Sequence, residues 1–303
     1  MSFARNARGV AGGLIWDRVL GEPPNGIHPV ALFGRAMGWL ERRVWADSRL
    51  NGLGYAVAGV ALGATAGAAT RSTTVAVGVS VAGRELRRVA KTIEDALIAG
   101  DLEQARALLP SLVGRDPSGL DESQIAAAVI ESLAENMVDA VVAPVWWGLL
   151  LGAPGAAGYR AINTMDAMVG YHNERFESFG WVAARLDDVA NLAPARLFAL
   201  VVALVSPRQA GAIARIVRRD AAAHPSPNAG VAESAVAAAL GRQLGGQLRY
   251  GTRVEDRPLL GDGPRPGPAD VARARELTER VEVALLIGLI AMFPTRSHCG
   301  PAA

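Results

Sequence analysis

The sequence predicts an all-α, polytopic integral membrane protein with about four or five hydrophobic helices and helical cytoplasmic segments. Half of its 303 residues are hydrophobic, only 20% are charged, and the mean hydropathy is +0.21, which is high for a soluble domain. No charged residue lies between Arg49 and Arg71 or between Asp139 and Arg160, and each run has about 20 residues, the length that crosses a bilayer core. No run of alternating apolar residues is long enough to predict a sheet.

The hydrophobic segments belong to a single domain over residues 1–303 and lie near 9–20, 53–83, 138–152, 192–206 and 281–294. Four glycines of the second segment place small residues on one helix face, which allows helices to approach closely in lipid. They are Gly54, Gly59, Gly63 and Gly67. Arginines flank residues 50–83 on both sides, so the positive-inside rule predicts a hairpin with both ends in the cytoplasm. A soluble all-α protein with buried alanine-rich helices is the alternative.

The polar segments between these runs are also predicted to be helical. Residues 86–109 carry apolar residues at helical spacing, with a break at Gly100. Asp121 and Gln124 can form a capping box that opens a helix through about Val142. Further helices are expected over 231–240 and 270–290, with a Gly/Pro loop over 258–268.

Composition and missing motifs exclude several classes of function. The formal net charge is +2 and no block of lysine or arginine stands out, so no nucleic-acid partner is expected. Cys299 is the single cysteine, which excludes an internal disulfide and a cysteine-based zinc site. The sequence has no Walker-type phosphate loop, no G-x-S-x-G elbow and no H-E-x-x-H pair. A bound nucleotide would therefore need carboxylate-held Mg²⁺ and arginine.

Four clusters of polar residues do not fit an apolar core. The first covers residues 21–30, where prolines force an extended loop, and His28 either caps the next helix or takes part in chemistry. In the second, Glu131, Glu135 and Asp139 are spaced i, i+4 and i+8, so like charges stack on one helix face. Such a face needs arginine partners or a hard cation such as Mg²⁺, unless it is simply solvated.

The third cluster, over residues 159–196, is dense in hydrogen-bonding groups beside apolar helices, and structural salt bridges are its alternative explanation. Its candidate residues are Asn163, Asp166, Arg185, Asp187, Asp188, Asn191 and Arg196. The fourth cluster leads into an alanine-rich helix, whose first amides suit an anion, although ordinary capping would also explain it. Its candidate residues are Arg219, His224, Ser226 and Asn228.

The segments that contain these clusters resemble the adenosylcobinamide-phosphate synthase family, the CobD/CbiB proteins of cobalamin biosynthesis. The matching segments, in family order, are GEPPNGIHPV (21–30), VGRDPSGLDESQI (113–125), IESLAENMVDAVVAPVWW (130–147), GAPGAAGYRAINTMDAMVGYHNERFESFGWVAARLDDVANLAPARL (152–197), RDAAAHPSPNAGVAESAVAAALG (219–241) and LGGQLRYG (244–251). Because these long stretches occur in order over almost the whole chain, the resemblance is specific. Ala167 and His172 stand where the family has serine and lysine, so no role is transferred to them.

The resemblance implies a multi-pass enzyme of the inner cell membrane with its active site facing the cytoplasm. Members of the family join adenosylcobyric acid, through the propionate on its ring D, to (R)-1-amino-2-propanol or its O-phosphate in an amide bond. The reaction consumes ATP with Mg²⁺ and gives adenosylcobinamide or its phosphate. The implied partners are these substrates, membrane lipids and other membrane-bound enzymes of the cobalamin pathway.

Amide formation from a carboxylate requires activation, which ATP supplies as an acyl phosphate, so the protein must neutralise phosphate charge, hold Mg²⁺ and place the amine. The carboxylates expected to act are Glu131, Glu135, Asp139 and Asp166, followed by Asp187 and Asp188, and the first three form the expected metal site. The groups expected to hold phosphates or corrin propionates are Arg185, Arg196 and Arg219. Those expected to take the proton of the attacking ammonium are His28 and His224. The expected binding set is completed by Asn163, Asn191, Ser226 and Asn228.

The run from Asp139 to Arg160 creates a conflict, because a single crossing would place the second and third clusters on opposite faces of the membrane. Pro144 and Gly148 interrupt the run, so we expect a re-entrant or broken helix packed inside the protein. A proton-coupled transporter, which intramembrane carboxylates would suit, and a non-catalytic membrane sensor or scaffold are the alternative functions. The lack of inverted repeats counts against the transporter, and ATP consumption that depends on cobyric acid would separate the enzyme from both.

Overall fold

A computed structural model describes residues 3–23, 26–114, 116–171, 173–250 and 253–293, and these residues form thirteen α-helices and one β-hairpin. The helices of the first half are α1 (Phe3–Leu20), α2 (Pro29–Val44), α3 (Arg49–Thr70), α4 (Thr73–Gly78), α5 (Gly83–Ile98), α6 (Leu102–Leu108) and α7 (Glu122–Met137). Those of the second half are α8 (Ala143–Leu151), α9 (Ala153–Val169), α10 (Trp181–Val205), α11 (Ala210–Asp220), α12 (Ala229–Leu240) and α13 (Pro268–Ala291). The hairpin consists of β1 (Leu244–Tyr250) and β2 (Arg253–Leu260).

Parts of the sequence discussed above lie outside the described residues. These are Pro24 and Asn25 of the first cluster, His172, the end of the last hydrophobic segment and Cys299.

The polar helices form where periodicity and capping predict them. The expected helix over 86–109 is split at Gly100 into α5 and α6, and the Asp101 carboxylate caps α6 by accepting from the Gln104 N–H at 2.9 Å. Asp121 and Gln124 make both hydrogen bonds of the capping box that opens α7. A π-helical turn, Val138–Val142, follows α7 directly, so the helical path reaches Val142 as expected. The helices predicted over 231–240 and 270–290 are also confirmed.

The all-α prediction is wrong over residues 244–260, which form the antiparallel hairpin. Leu244 pairs with Leu260 and Gly246 with Arg257, and Gly245 lies in the bulge between these pairs. Gly245 has a φ of +81°, and a β-carbon there would meet the carbonyl oxygen of Pro258, so the position requires glycine. Two adjacent glycines interrupt the apolar alternation that would indicate a strand in the sequence. The Gly/Pro loop predicted over 258–268 begins only after Leu260, where β2 ends.

The prediction of a helical hairpin over residues 50–83 is wrong for its second helix. α3 has 22 residues, enough to cross a bilayer core, but α4 has only six, which extend about 9 Å. Ser72 begins α4 by accepting a hydrogen bond from the Val75 N–H, and α4 then packs along α1. The segment therefore supplies one long apolar helix and a short one.

The small-residue face predicted on α3 is confirmed where α3 packs against α9. The buried glycines of this face are Gly59, Gly63 and Gly67. A β-carbon at Gly63 would lie 2.5 Å from Ala161 Cβ and 2.9 Å from the Ala157 carbonyl oxygen. Gly54 does not belong to this face, because it is exposed and nothing lies within 4 Å of a β-carbon built there. A helix has about 3.6 residues per turn, so the buried stripe reaches Ala56 instead of Gly54.

The expected break in the run from Asp139 to Arg160 is confirmed, but it falls at Gly152, whereas Gly148 lies inside a helix. The π-helical turn leads into α8, which has nine residues and extends about 14 Å, too short to cross a bilayer core. Gly152, with a φ of +69°, then reverses the chain into α9, which packs against α8. This reversal returns the chain from Asp139 to Tyr159, whose hydroxyl lies 3.5 Å from the Asp139 carboxylate.

Among the described residues, two helices, α3 and α10, are long and apolar enough to span a membrane, fewer than the four or five predicted. The hydrophobic segments near 192–206 and 281–294 form the second half of α10 and the second half of α13. The main core surrounds α12, whose residues are almost all buried, and the buried face of α7, from Ile125 to Ala134. Large apolar side chains nevertheless remain at the surface of several helices, and examples are Ile15, Val57, Leu62, Leu151, Leu200, Leu204 and Ile287.

Candidate active site

A polar cavity of about 520 Å³ lies where α7, α9, α10, the loop before α12 and the β-hairpin meet. It brings together the second, third and fourth clusters of the sequence. The predicted residues that line it are Glu131, Glu135, Asp139, Asp166, Arg185, Asp187, Asp188, His224 and Ser226. The chain reversal between α8 and α9 makes this convergence possible, because it returns the third cluster to the end of α7.

The acidic face predicted on α7 is confirmed, since Glu131, Glu135 and Asp139 all line the cavity. Glu131 is buried, and its Oε1 accepts a hydrogen bond of 2.8 Å from the Gly245 N–H. That bond links α7 to the hairpin. It also directs the Glu131 carboxylate, one of the predicted metal ligands, toward the backbone amide of Gly245. Glu135 and Asp139 lie further along the same wall, nearer to α10.

Asp139 and Asp187 are joined by a network of neutral side chains. The Tyr159 hydroxyl donates to the Asn191 Oδ1 at 2.8 Å, and the Asn191 Nδ2 donates to the Asp187 carboxylate at 2.9 Å. Asn163 donates to the other Asp187 oxygen at 3.3 Å. Asn163 and Asn191 therefore position a carboxylate from α10 beside a carboxylate from α7. Tyr159 belongs to the third cluster, but sequence reasoning did not single it out.

Further acidic groups add negative charge to the same wall. Asp139 has Glu135, Asp166 and Asp187 as charged neighbours. Asp166 lies near the end of α9, and a β-carbon at Gly170 would come within 2.0 Å of its carboxylate, so the small residue makes room for this side chain. Like charges at close range repel, so this end of the cavity favours a cation or an ammonium group.

The basic groups of the cavity come from α10 and from the hairpin. Arg185 donates to Asp188 at 3.2 Å and stacks over the ring of Trp181. Arg257, on β2, lies with its Nη1 3.0 Å from the Nε2 of His224. Sequence reasoning missed Arg257, because the hairpin was not predicted, and only the matching segment 244–251 pointed to this region.

His224 is held inside the cavity by its own loop and by the hairpin. Its Nδ1 lies 3.0 Å from the Ser226 amide nitrogen and 3.3 Å from the Ser226 carbonyl oxygen, and its Nε2 also lies 3.7 Å from Glu233. The Ser226 N–H donates to Nδ1, and the Arg257 guanidinium, which can only donate, approaches Nε2, so both ring nitrogens face hydrogen-bond donors. Nδ1 is therefore engaged by its own loop, and Nε2 is the nitrogen that lies between Arg257 and Glu233.

Ser226, Asn228 and Arg196 connect α10 to the start of α12. The Ser226 Oγ accepts from the Asn228 and Ala229 amides, so the predicted anion loop caps its own helix. Asn228 donates to the Asp188 carbonyl oxygen at 2.7 Å and accepts from Arg196 at 2.9 Å. Asn228 and Asn191 line a small extension of about 30 Å³ beside the main cavity, whereas Arg196 lines neither space.

Arg219 is not part of the site, which corrects its assignment to the anion loop. It donates to Asp220, on its own helix, and to Asp262 at 2.9 Å. The hydrogen bonds from Arg219 hold the pKa of Asp220 below its usual range. The guanidinium is thus already paired with two carboxylates and does not line the cavity.

His28 also lies away from the cavity, which removes it from the proton-transfer set. Its Nδ1 accepts from the Val30 N–H at 3.2 Å, so the residue caps α2 as the alternative explanation stated. Only 6% of the residue is exposed, and this burial lowers the pKa of His28. Its Nε2 has no hydrogen-bond partner among the described residues.

The donor chemistry of the acidic wall suits Mg²⁺, which prefers oxygen ligands. No group of three Asp, Glu, His or Cys side chains in the described part of the chain is arranged as a ready metal site, so the triad of Glu131, Glu135 and Asp139 is not preformed. Mg²⁺ commonly takes one or two carboxylates together with phosphate oxygens and water. The carboxylates present fit that mode of binding.

Comparison with known proteins shows the family of the chain. A family model described as CobD/CbiB protein matches residues 10–278. The cobalamin biosynthesis protein CobD of Mycobacterium tuberculosis is 44% identical over 301 residues, covering 94% of this chain and 95% of the relative. Proteins of the same name from Rhodobacter capsulatus and Geobacter metallireducens are 49% and 40% identical, over 70% and 93% of this chain and 68% and 95% of the relatives. No solved structure matches the chain. The matches cover the elements that build the cavity, and the chain belongs to the CobD/CbiB family.

Proposed function

We propose that this protein acts in cobalamin biosynthesis as an ATP-dependent acid–amine ligase. It joins adenosylcobyric acid to (R)-1-amino-2-propanol or to the O-phosphate of this amine, and the product is adenosylcobinamide or its phosphate. The observation that carries the proposal is the convergence of three family-matching clusters in one polar cavity. The names of the relatives support the pathway, and the cavity supports a reaction between charged substrates.

In the proposed reaction, a propionate oxygen of adenosylcobyric acid attacks the γ-phosphorus of ATP, which forms an acyl phosphate and releases ADP. The amine nitrogen then attacks the acyl carbon, and phosphate leaves with the electrons of the broken C–O bond. The nitrogen loses its extra proton to a base. Each step brings the negatively charged oxygen atoms of phosphate and carboxylate groups close together. Positioning and electrostatic stabilisation therefore supply most of the catalysis.

The acidic wall is assigned to cation binding. One or two of the carboxylates Glu135, Asp139 and Asp187 would hold Mg²⁺ together with phosphate oxygens, and the ion would supply charge neutralisation of the phosphates. Asp166 lies on the same wall and would attract the ammonium group of the amine. Asn163 and Asn191 orient Asp187 through their hydrogen bonds, so they act as positioning residues.

The basic groups are assigned to the anionic substrates. Arg257 and Arg185 lie on the cavity wall, and guanidinium groups suit phosphate and propionate oxygens. His224 would accept, at Nε2, the proton that the amine nitrogen loses, since its Nδ1 already accepts from the Ser226 N–H. Proton transfer to Nε2 would give an imidazolium that the Glu233 carboxylate stabilises and the Arg257 guanidinium opposes, and this opposition favours release of the proton afterwards.

We place the protein in the inner cell membrane, with the cavity facing the cytoplasm. α3 and α10 have the length and apolarity of spanning helices, and large apolar side chains are exposed on several others. Arg43 stacks on Trp39 and Arg49 stacks on Trp181, both near the arginine-rich end of α3. Tryptophan and arginine together are typical of the cytoplasmic membrane interface, and Trp181 also lines the cavity.

Product analysis by mass spectrometry tests the proposed reaction. The purified protein is incubated with adenosylcobyric acid, ATP, Mg²⁺ and each amine in turn, and the nucleotide released is separated by chromatography. The expected result is adenosylcobinamide or its phosphate, formed only when ATP, acid and amine are all present, with ADP in equal amount. Movement of a substrate into vesicles without any product would favour the transporter, and the absence of both activities would favour the sensor or scaffold.

A further inference from the structure

A second groove, of about 490 Å³, lies where the end of α10 and the segment after it meet α12 and α13. Its floor is apolar and is formed by Val205, Leu240 and Leu277 with Ala239. The polar residues of its rim are Ser206, Arg208, Gln209, Arg273, Glu276 and Arg280. None of these residues lines the cavity assigned to the reaction.

The rim carries three guanidinium groups against one carboxylate, so its potential is positive. Arg273 is held by Asp270 at 2.6 Å and by the Leu240 carbonyl oxygen at 2.9 Å. Arg208 and Arg280 are exposed, and neither has an ion-pair partner within 4 Å among the described residues. Two unpaired arginines facing one groove favour an anion with several oxygen acceptors, such as a phosphate group.

The surface beside the groove is apolar on both of the helices that carry these arginines. On α10, Leu200 and Leu204 are 57% and 67% exposed and precede Arg208. On α13, Val283 and Ile287 follow Arg280, and Ile287 is 62% exposed. A ligand that binds here with its phosphate on the arginines would therefore meet exposed apolar side chains with the rest of its length.

We propose that this groove binds the headgroup of an anionic phospholipid, with its phosphate between Arg208 and Arg280 and its acyl chains along α10 and α13. The inference rests on the proposed membrane location. Basic pockets beside apolar helices select anionic lipids by charge, while the acyl chains bury apolar surface. A soluble phosphate compound shares the headgroup chemistry but has no acyl chains to contact the exposed apolar residues.

The test is a binding titration followed by thermal unfolding of the full chain in detergent. The additives are phosphatidylglycerol, phosphatidylcholine and inorganic phosphate. We expect phosphatidylglycerol to raise the unfolding midpoint in a saturable way, and the double variant Arg208→Gln/Arg280→Gln to bind it about ten- to a hundredfold more weakly. The control Arg42→Gln/Arg218→Gln removes the same charge from exposed positions outside the groove and should bind like the original protein.

Three results would overturn the inference. Equal shifts with phosphatidylcholine would show that the headgroup charge is not recognised. Equal weakening in both double variants would show that binding is spread over the surface and does not occur in the groove. A full shift with inorganic phosphate would assign the groove to a soluble ligand. Because the readout does not involve turnover, failure here is distinct from failure of the ligase assay, and release of the protein from membranes by carbonate would instead contradict the membrane location.

Discussion

His28 illustrates how burial decides the role of a single titratable side chain. The residue caps α2 through Nδ1, while Nε2 lies buried without a hydrogen-bond partner among the described residues. Protonation of Nε2 would place a charge in this buried position, which explains the lowered pKa of His28. The sequence presented the capping role and the catalytic role as alternatives, and only the position relative to the cavity separates them.

A pH-dependent stability follows from the His28 environment. The unfolded chain binds a proton at a histidine pKa of about 6.5, whereas the folded chain binds it only at lower pH, so stability is lost as pH falls below about 6.5. We expect the temperature of the unfolding midpoint to be lower at about pH 5.5 than at about pH 7.5. The decrease should be smaller in His28→Asn, whose amide still caps α2. His28→Ala should lose about 1 kcal/mol at neutral pH because the cap is gone. A parallel pH profile in His28→Asn would show that His28 is not the responsible group.

The carboxylates of α7 have different predicted roles in spite of their regular spacing. Glu135→Gln removes a proposed Mg²⁺ ligand, so the Mg²⁺ concentration for half-maximal turnover should rise about tenfold or more. Glu131→Gln keeps an acceptor oxygen for the Gly245 amide, so its main effect should be on stability. Activity titrations with Mg²⁺ on both folded variants measure this difference, and an unchanged requirement in Glu135→Gln would return that residue to a structural role.

At the level of the elements, the sequence predicted what local patterns determine. The Asp121–Gln124 capping box, Gly100 and the apolar periodicity located α5, α6 and α7, and α12 and α13 were also predicted, because such signals act within a few residues. The hairpin was missed, since its register depends on a glycine bulge and on pairing across the turn. The short length of α4 was missed as well, because the uncharged run continues beyond its end.

The packing of α3 on α9 gives a test with a matched control in the same helix. Gly63→Ala places a methyl group against Ala161 and the Ala157 carbonyl oxygen, so it should destabilise the protein by about 1–3 kcal/mol. Gly54→Ala meets nothing within 4 Å and should be neutral or stabilising by up to about 1 kcal/mol, since alanine favours the helix. Thermal unfolding monitored by far-ultraviolet circular dichroism compares the two. Equal stability of both variants would contradict the close packing of these helices.

At the scale of the whole molecule, membrane integration is the first expectation. The exposed apolar residues on several helices and the length of α3 and α10 favour a lipid environment. Carbonate and high-salt washing of membranes should leave the protein in the pellet, as detected by immunoblotting. Quantitative release into the supernatant would contradict the proposed location and return the chain to the soluble all-α alternative.

Most charged residues that line the cavity could be predicted from the sequence. Which of the predicted residues lie outside the cavity could not. All six carboxylates expected to act line one cavity with Arg185, His224 and Ser226, because the matching segments mark where chemistry-bearing residues are concentrated. Arg219 was expected in the site but is paired with Asp262, whereas Arg257 was not expected there and contacts His224 in the cavity. Both outcomes depend on contacts between residues that are far apart in the sequence. Which arginine faces a cavity depends on tertiary structure, and residue spacing alone does not determine it.

The central claim is that one cavity, assembled from α7, α10 and the hairpin, carries the ligation. The most direct measurement is the rate of adenosylcobinamide or adenosylcobinamide phosphate formation, by mass spectrometry, in Glu135→Gln, Asp187→Asn, Arg257→Gln and Arg219→Gln, each shown to be folded. We predict that the first three lose about tenfold or more in kcat/KM, because each loses a charged group of the cavity, whereas Arg219→Gln stays within about twofold. Full activity in the three cavity variants, or a loss confined to Arg219→Gln, would contradict the account.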